Sequence, residues 1–231
     1  MANRTVLVTG ATGGLGRAVS AAFLETGWRV VAPQRQRPVP VGEPGLDAPV
    51  PVVADLTNPQ DAARVAEVAS EDPGAPLRAV VNLVGGYASG GLVHELPVEE
   101  FERMLTINLR PTHLVTRAAL PHLIAAGGGA VVCVAARAAV APFPGVAGYV
   151  TAKAAVLGFA AAVAVEYKPA GIRCNTVLPS VIDTPTNRDA MPDADRSRWV
   201  DPTEIASVIR FLASDESAPT SGAAIPVYGR A

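Results

Sequence analysis

The sequence predicts an α/β protein, a single domain built on a doubly wound, seven-stranded parallel sheet with helices on both faces. Three observations carry this reading. Short β-branched runs alternate with longer Ala-rich runs of helical period along the whole chain. The strand candidates are apolar throughout rather than alternating, as burial on both faces requires. The 231 residues fit one core, since single cores grow to ~250 residues before they split.

Taken in order, residues 4–10 (RTVLVTG) read as the first strand and 15–27 (LGRAVSAAFLETG) as a helix stopped by Gly27. Residues 28–33 (WRVVAP) form strand two, and the Pro- and Gly-rich stretch 34–50 is a surface loop. Strand three is 50–56 (VPVVADL). The helix at 58–70 has Asn58 as its N-cap and Pro59 in its first turn. Strand four is 77–86 (LRAVVNLVGG), followed by one long helix at 98–127 that Pro111 and Pro121 should bend. Strand five (129–136), a long helix (146–167) and strand six (171–179) come next. A helix at 201–214, capped by Asp201 ahead of Pro202, and a closing strand at 223–229 complete the series. No repeat or low-complexity tract appears.

Nearly half the residues are hydrophobic (49%) but only 5% are aromatic, so the core is mainly Ala, Val, Leu and Ile and helices pack close to the sheet. A formal charge of −2 gives no reason to expect a nucleic acid or an anionic membrane as partner. Cys133 and Cys174 both fall in apolar strand runs and read as buried free thiols. His94, His113 and His122 are scattered, and no His or Cys lies at metal-ligand spacing, so no metal site is expected. The N-terminal residues enter a strand at once, without a long apolar leader. The greasiest stretch, 154–167, is shorter than the ~20 residues a bilayer needs. The expectation is a cytoplasmic enzyme or binding protein whose partner is a small molecule.

Two places carry chemistry. The first strand runs into TGATGGLG, residues 9–16, and then a helix. Gly10, Gly14 and Gly16 let the backbone turn sharply and approach a pyrophosphate, whose charge meets the helix N-terminus. The end of strand two, VVAPQRQR, offers Gln34, Arg35 and Arg37 and no carboxylate. Guanidinium groups suit a 2′-phosphate, so NADP(H) is preferred and NAD(H) remains possible. Asp55, ending strand three, either accepts from the adenine amino group or caps the following helix. The second place is 131–153, VVCVAARAAVAPFPGVAGYVTAK, where Tyr149 and Lys153 lie four apart on one helical face.

TGATGGLG, VVADL, NLVGG, INL around Asn108, the Tyr149–Lys153 pair and LPSVIDTP, in that order, resemble the short-chain dehydrogenase/reductase family over essentially the whole chain. NLVGG departs from the pattern, with Leu83 and Val84 where the family shows asparagine and alanine. The resemblance implies a Rossmann sheet of order 3-2-1-4-5-6-7 and a cofactor held along the strand ends. Gly10, Thr12, Gly14, Leu15 and Gly16 would contact it from the first turn, and Gln34, Arg35, Asp55 and Leu56 at the adenosine end. Asn82 and Gly85 would line the middle, and Pro179, Ile182 and Thr184 the nicotinamide end. Tyr149 would be the general acid, and Lys153 would hold the nicotinamide ribose and lower the tyrosine pKa by its charge. Asn108 would anchor a water that links the lysine to solvent. Family members associate through the two long helices, so a homodimer or homotetramer is expected.

The family's substrate-orienting serine stands thirteen residues before the tyrosine. Here that position is Ala136, flanked by Ala135 and Arg137, so no hydroxyl replaces it. Such a donor is worth ~3–4 kcal/mol in other oxyanion sites. The quinonoid dihydropteridine reductase branch lives without it, and three stretches resemble that branch: 131–153, NLVGGYASGG (82–91) and LPSVIDTPTNRDAMPDADRSRW (178–199). The resemblance implies hydride transfer to a small conjugated substrate, pterin-like or quinonoid, with Tyr87 and Trp199 as stacking faces. Residues 185–200 would form a mobile lid over the substrate. Two other readings stay open. One is a reductase of a ketone, quinone or imine in which water or Arg137 replaces the serine. The other is a non-catalytic dinucleotide sensor or scaffold.

Overall fold

The computed structural model describes residues 3–35 and 48–230; Arg37 lies outside the described residues. Seven strands form one sheet: β1 (Thr5–Thr9), β2 (Arg29–Gln34), β3 (Val50–Val53), β4 (Leu77–Asn82), β5 (Gly129–Val134), β6 (Ile172–Pro179) and β7 (Ala224–Val227). Their order is β3-β2-β1-β4-β5-β6-β7, with every neighbouring pair parallel. The order reverses between β1 and β4, which opens a crevice beyond the carboxyl ends of those strands.

Among the described residues there are seven α-helices: α1 (Gly14–Leu24), α2 (Pro59–Ser70), α3 (Val98–Asn108), α4 (Arg110–Ala125), α5 (Ala147–Glu166), α6 (Pro185–Ala190) and α7 (Pro202–Ala213). Successive strand residues point to opposite faces, and both faces are apolar. Leu7, Val31, Val80 and Val131 pack with Val65, Leu120, Leu123 and Val156 from α2, α4 and α5. Val6, Val8, Val30 and Val132 pack with Phe23, Ile205 and Ile209 from α1 and α7. The core is almost wholly aliphatic, as composition requires, with Phe23 edge-on to Trp28 at 5.2 Å. Cys133 and Cys174 are free and buried in the neighbouring strands β5 and β6.

Local chemistry sets most element ends. Gly27 closes the turn after α1 at φ +76°. The Asn58 side chain accepts from the N–H groups of Gln60 (2.8 Å) and Asp61 (3.2 Å), and Asp201 accepts from Thr203 N–H (2.7 Å). The long helix expected at 98–127 is instead two helices. The α3 ladder runs as far as the Leu109 N–H, which donates to the Leu105 carbonyl at 2.9 Å. Pro111 has no N–H to continue it, so the chain restarts as α4 with that proline in its first turn. Pro121 sits inside α4 without ending it. Strands three and four are also shorter than expected, stopping at Val53 and Asn82.

Helix α5 is long and apolar enough to cross a membrane by composition, with mean hydropathy 1.6. It lies instead against β6 and α3, burying Ala152, Val156, Ala160, Val163 and Ala164 along one face. At Gly148 an added Cβ would come within 3.2 Å of Met104 Cγ and 3.4 Å of the Phe101 Cα. The missing side chain lets α3 approach the first turn of α5, where Tyr149 stands.

Candidate active site

Lys153 lies one helical turn beyond Tyr149, with only 6% of its surface exposed. Its Nζ donates to the Val134 carbonyl at the end of β5 (3.1 Å) and stands 6.0 Å from the centre of the Tyr149 ring. Burial pulls the ammonium down to about 8, against an opposing pull from the neighbouring Cys133 thiol. Burial also pushes the Tyr149 phenol up, to about 12, and Tyr87 adds to the effect. The shift runs opposite to the expected lowering by the lysine charge, because desolvation is its main cause. Tyr149 is thus a firm holder of its proton. Tyr87, 58% exposed, meets the Tyr149 ring edge-on at 5.1 Å and covers it on the solvent side.

Asn108, fully buried at the end of α3, works as a clamp. Its Nδ2 donates to the carbonyls of Gly86 (3.0 Å) and Met104 (3.0 Å), while its Oδ1 accepts from the Gly86 N–H (3.1 Å). Its carbonyl accepts from Thr112 Oγ1 at 3.2 Å. In this geometry Asn108 makes a two-point grip on the loop that carries Tyr87. Gly85 makes the grip possible. A Cβ there would sit 2.5 Å from Asn108 Oδ1 and 3.0 Å from Lys153 Nζ.

The glycine-rich turn joins β1 to α1 beside the same crevice. Gly10 takes φ +70°, a conformation that favours glycine, and its carbonyl accepts from the Gly13 N–H at 3.1 Å. A Cβ on Gly16 would collide with that carbonyl. Thr9 Oγ1 accepts from the N–H groups of Leu83 (3.0 Å) and Val84 (3.3 Å), tying the ends of β1 and β4 together across the crevice. Helix α1 has no side-chain cap and no acidic residue in its first turn. Helices α2 and α7 have both. The first N–H groups of α1 are thus left to an anion, and a pyrophosphate fits that charge pattern. Thr12 and Leu15 belong to this turn; the Thr12 carbonyl accepts from Arg17 Nε at 3.2 Å, and Leu15 packs on the core.

At the adenosine end, Gln34 is buried where β2 finishes, and Arg35 Nε lies 4.0 Å from Asp55 Oδ1 with both side chains more than half exposed. The same Asp55 oxygen accepts from the N–H (2.9 Å) and hydroxyl (2.8 Å) of Thr57, so Asp55 fastens the turn into α2. The Thr57 N–H contributes most to holding its carboxyl below the usual range. Leu56 is buried beside it. Asn82 turns inward: its Nδ2 donates to Thr116 Oγ1 (3.0 Å) and approaches Cys133 Sγ (3.8 Å). That leaves Gly85, rather than the Asn82 side chain, facing the crevice.

Pro179 ends β6, buried against Val227 of β7. Beyond it the chain folds back on the glycine turn, where a Cβ on Gly14 would lie 2.6 Å from Thr184 Cγ2. Asn187 holds this loop through its Nδ2 to the Ile182 carbonyl (2.8 Å) and its N–H to Thr184 Oγ1 (3.3 Å). The segment expected as a lid contains α6 and a single turn at Arg196–Arg198, braced by a two-pronged Arg188–Asp183 pair at 2.6 and 2.8 Å. Trp199 is half-buried near Arg196, and among the described residues no ring contact joins it to Tyr87 or Tyr149. Ala136 is 8% exposed and offers no donor. The Arg137 guanidinium lies over the Tyr228 ring, 5.1 Å from the centre. Tyr228 went unnoticed in the sequence because it follows the last strand, far from every motif.

A cavity of about 840 Å³ opens at the opposite end of the sheet around Arg4, Trp28, Arg78 and Arg173. Its cations have structural work. Arg173 donates to the Leu212 and Ser214 carbonyls and to Ser217 Oγ, and Arg78 donates to the Ala126 carbonyl. The candidate site lies at the carboxyl ends of the strands, where the chain brings together the glycine turn, the buried Lys153 and the half-buried Tyr149.

A family model for short chain dehydrogenases matches residues 4–195. The chain belongs to the short-chain dehydrogenase family. It is 32% identical over 98% of its length to 2-(R)-hydroxypropyl-CoM dehydrogenase of Xanthobacter autotrophicus, covering 98% of that protein. It is 31% identical over 96% of its length to (3R)-3-hydroxyacyl-CoA dehydrogenase of Mus musculus, covering 94% of that protein. Among solved structures, ligand-free aldohexose dehydrogenase of Thermoplasma acidophilum superimposes with a TM-score of 0.87 at 26% identity, over 99% of this chain and 94% of that one. A candidate NAD(P) dependent gluconate 5-dehydrogenase of Beutenbergia cavernae, with NADP bound at low occupancy, gives 0.87 at 28% identity, over 99% and 96%. The chain is accordingly an oxidoreductase of this family.

Proposed function

We propose that the protein is an NADP(H)-dependent reductase of a small, flat, conjugated acceptor of pterin-like or quinonoid type, with Tyr149 as proton donor. The observation that carries this reading is a half-buried Tyr149 one turn from the buried Lys153, with Ala136 supplying no second hydroxyl where the family's serine would stand. The nicotinamide supplies the hydride when bound. The chain's own residues do the rest. The α1 N-terminus and the Gly10–Gly16 turn receive the pyrophosphate, and Lys153 holds the ribose from a site fixed by the Val134 carbonyl. Asn108 and Gly85 keep the loop after β4 clear of that lysine. Tyr149, held near 12, keeps its proton at neutral pH until negative charge develops on the acceptor.

An extended conjugated acceptor spreads that charge over several atoms, so it depends less than a ketone on a donor at position 136. Tyr87, edge-on to Tyr149 and open to solvent, provides an aromatic wall. The stretches 82–91 and 178–199, with their resemblance to quinonoid dihydropteridine reductases, support the same acceptor. NADP(H) is favoured because Arg35 flanks the end of β2 while Asp55 is engaged by Thr57. The 28%-identical gluconate dehydrogenase candidate that holds NADP supports this choice.

A second reading, oxidation of a secondary alcohol to a ketone, is favoured by the names of the 31–32% identical relatives. Steady-state reduction of quinonoid dihydropterin, a quinone and a ketone panel, with NADPH and with NADH, separates the two. The expected result is faster turnover of the conjugated acceptors with NADPH, and a ~10²–10⁴-fold fall in kcat in Tyr149→Phe. Ketone turnover without conjugated-acceptor turnover selects the second reading. An unchanged Tyr149→Phe rate removes Tyr149 as the donor in both.

A further inference from the structure

We propose that Arg137, stacked on Tyr228, is an anion-recognition subsite that selects a substrate carrying a carboxylate away from its reacting centre. This deepens the reductase reading and rests on it for the location of the reacting centre. The guanidinium lies over the Tyr228 ring at 5.1 Å. A contact of that kind uses the flat face of the group and leaves its edge of five N–H donors unengaged. Among the described residues no ion pair or hydrogen bond engages this guanidinium, although Arg137 is exposed. Arg196 lies over the Trp199 ring at 5.9 Å, while two other arginines on this rim are engaged. Arg188 is clamped by Asp183, and Arg198 Nε donates to the Arg230 carbonyl at 3.2 Å.

The platform is fixed and well placed. The Tyr228 carbonyl accepts from Ser180 Oγ at 2.8 Å. The next residue, Gly229, takes φ +62° and fits against the segment behind the lid, where a Cβ would come within 3.1 Å of Val200 Cγ2 and 3.5 Å of the Trp199 carbonyl. Arg137 follows Ala136 directly and lies three residues past Val134, whose carbonyl holds Lys153. Three residues span at most ~10 Å of chain, so the backbone that carries Arg137 starts within ~10 Å of the strand end that holds Lys153. A carboxylate matches the guanidinium fork with two parallel charge-assisted bonds.

The test is binding, which does not require turnover. Benzoate and benzamide, which share a ring and differ in charge, are titrated calorimetrically into the NADP⁺-loaded enzyme at low ionic strength. Wild type is expected to bind benzoate at least tenfold more tightly than benzamide. Arg137→Met should abolish that preference and Arg137→Lys restore part of it, while NADP⁺ affinity stays unchanged in both as a check on folding. Tyr228→Leu should weaken benzoate binding by releasing the guanidinium. Equal affinity for the two probes, no measurable benzoate binding, or a preference lost in Arg196→Met but kept in Arg137→Met each overturns the proposal. If the benzoate preference holds while no acceptor is reduced, the reductase reading fails and the subsite stands.

Discussion

The buried ammonium of Lys153 should cost the protein stability near neutral pH, and replacing it should reveal how much. A lysine held at about 8 rather than its ordinary 10.5 has a charged form destabilised by roughly 3 kcal/mol, at about 1.36 kcal/mol per pH unit. The sign follows from proton counting. Between pH 8 and 10.5 the unfolded chain binds more protons at this site than the folded one, so wild-type stability rises with pH across that window. Below pH 8 the full cost is present. Lys153→Met keeps the stem's packing and removes the charge, but it leaves the Val134 carbonyl without its donor, a loss of about 1 kcal/mol. The variant should therefore be more stable than wild type at pH 7 by about 2 kcal/mol and nearly equal to it at pH 10, where about 1 kcal/mol of the lysine's cost remains because the unfolded side chain is still largely protonated. Urea unfolding followed by far-ultraviolet circular dichroism at the two pH values reads both differences. Stopping at pH 10 avoids the opposite contribution of Tyr149, whose raised phenol loses stability between 10 and 12. A Lys153→Met variant destabilised equally at both pH values would refute the reasoning, because the lysine would then not be buried as a strained cation.

Two further substitutions probe the site. Gly85→Ala drives a methyl against Asn108 Oδ1 and Lys153 Nζ, and overpacking of this kind costs about 1–3 kcal/mol. Turnover should fall at least tenfold, with a melting temperature lower by a few degrees; wild-type kinetics would show that the clamp does not position the lysine. Ala136→Ser returns the missing donor, worth ~3–4 kcal/mol where an oxyanion forms. It should raise ketone reduction ~10²-fold or more and change reduction of a conjugated acceptor by less than about threefold. A large gain with both acceptors would mean that the native substrate also lacks a needed donor.

The sequence by itself determined the sheet, the glycine turn and the Tyr149–Lys153 pair. Each is a property of near neighbours: strand runs and caps depend on a few adjacent residues, Gly10 answers a local backbone need, and residues four apart share a helix face whatever surrounds them. The split between α3 and α4 was within reach of the same reasoning, since Pro111 marks the missing N–H, but whether a proline bends or breaks a helix depends on what packs around it. Pro121 shows the other outcome. Only the tertiary structure decided the electrostatics and the long-range pairings. The family resemblance implied a tyrosine made more acidic by Lys153, yet burial in the folded chain and the nearby Tyr87 made it less so. Asn108 gripping Gly86, and Arg137 resting on Tyr228, join residues that no local pattern connects. Desolvation and contact are set by everything that surrounds a group in space, and chain order fixes only the neighbours along it.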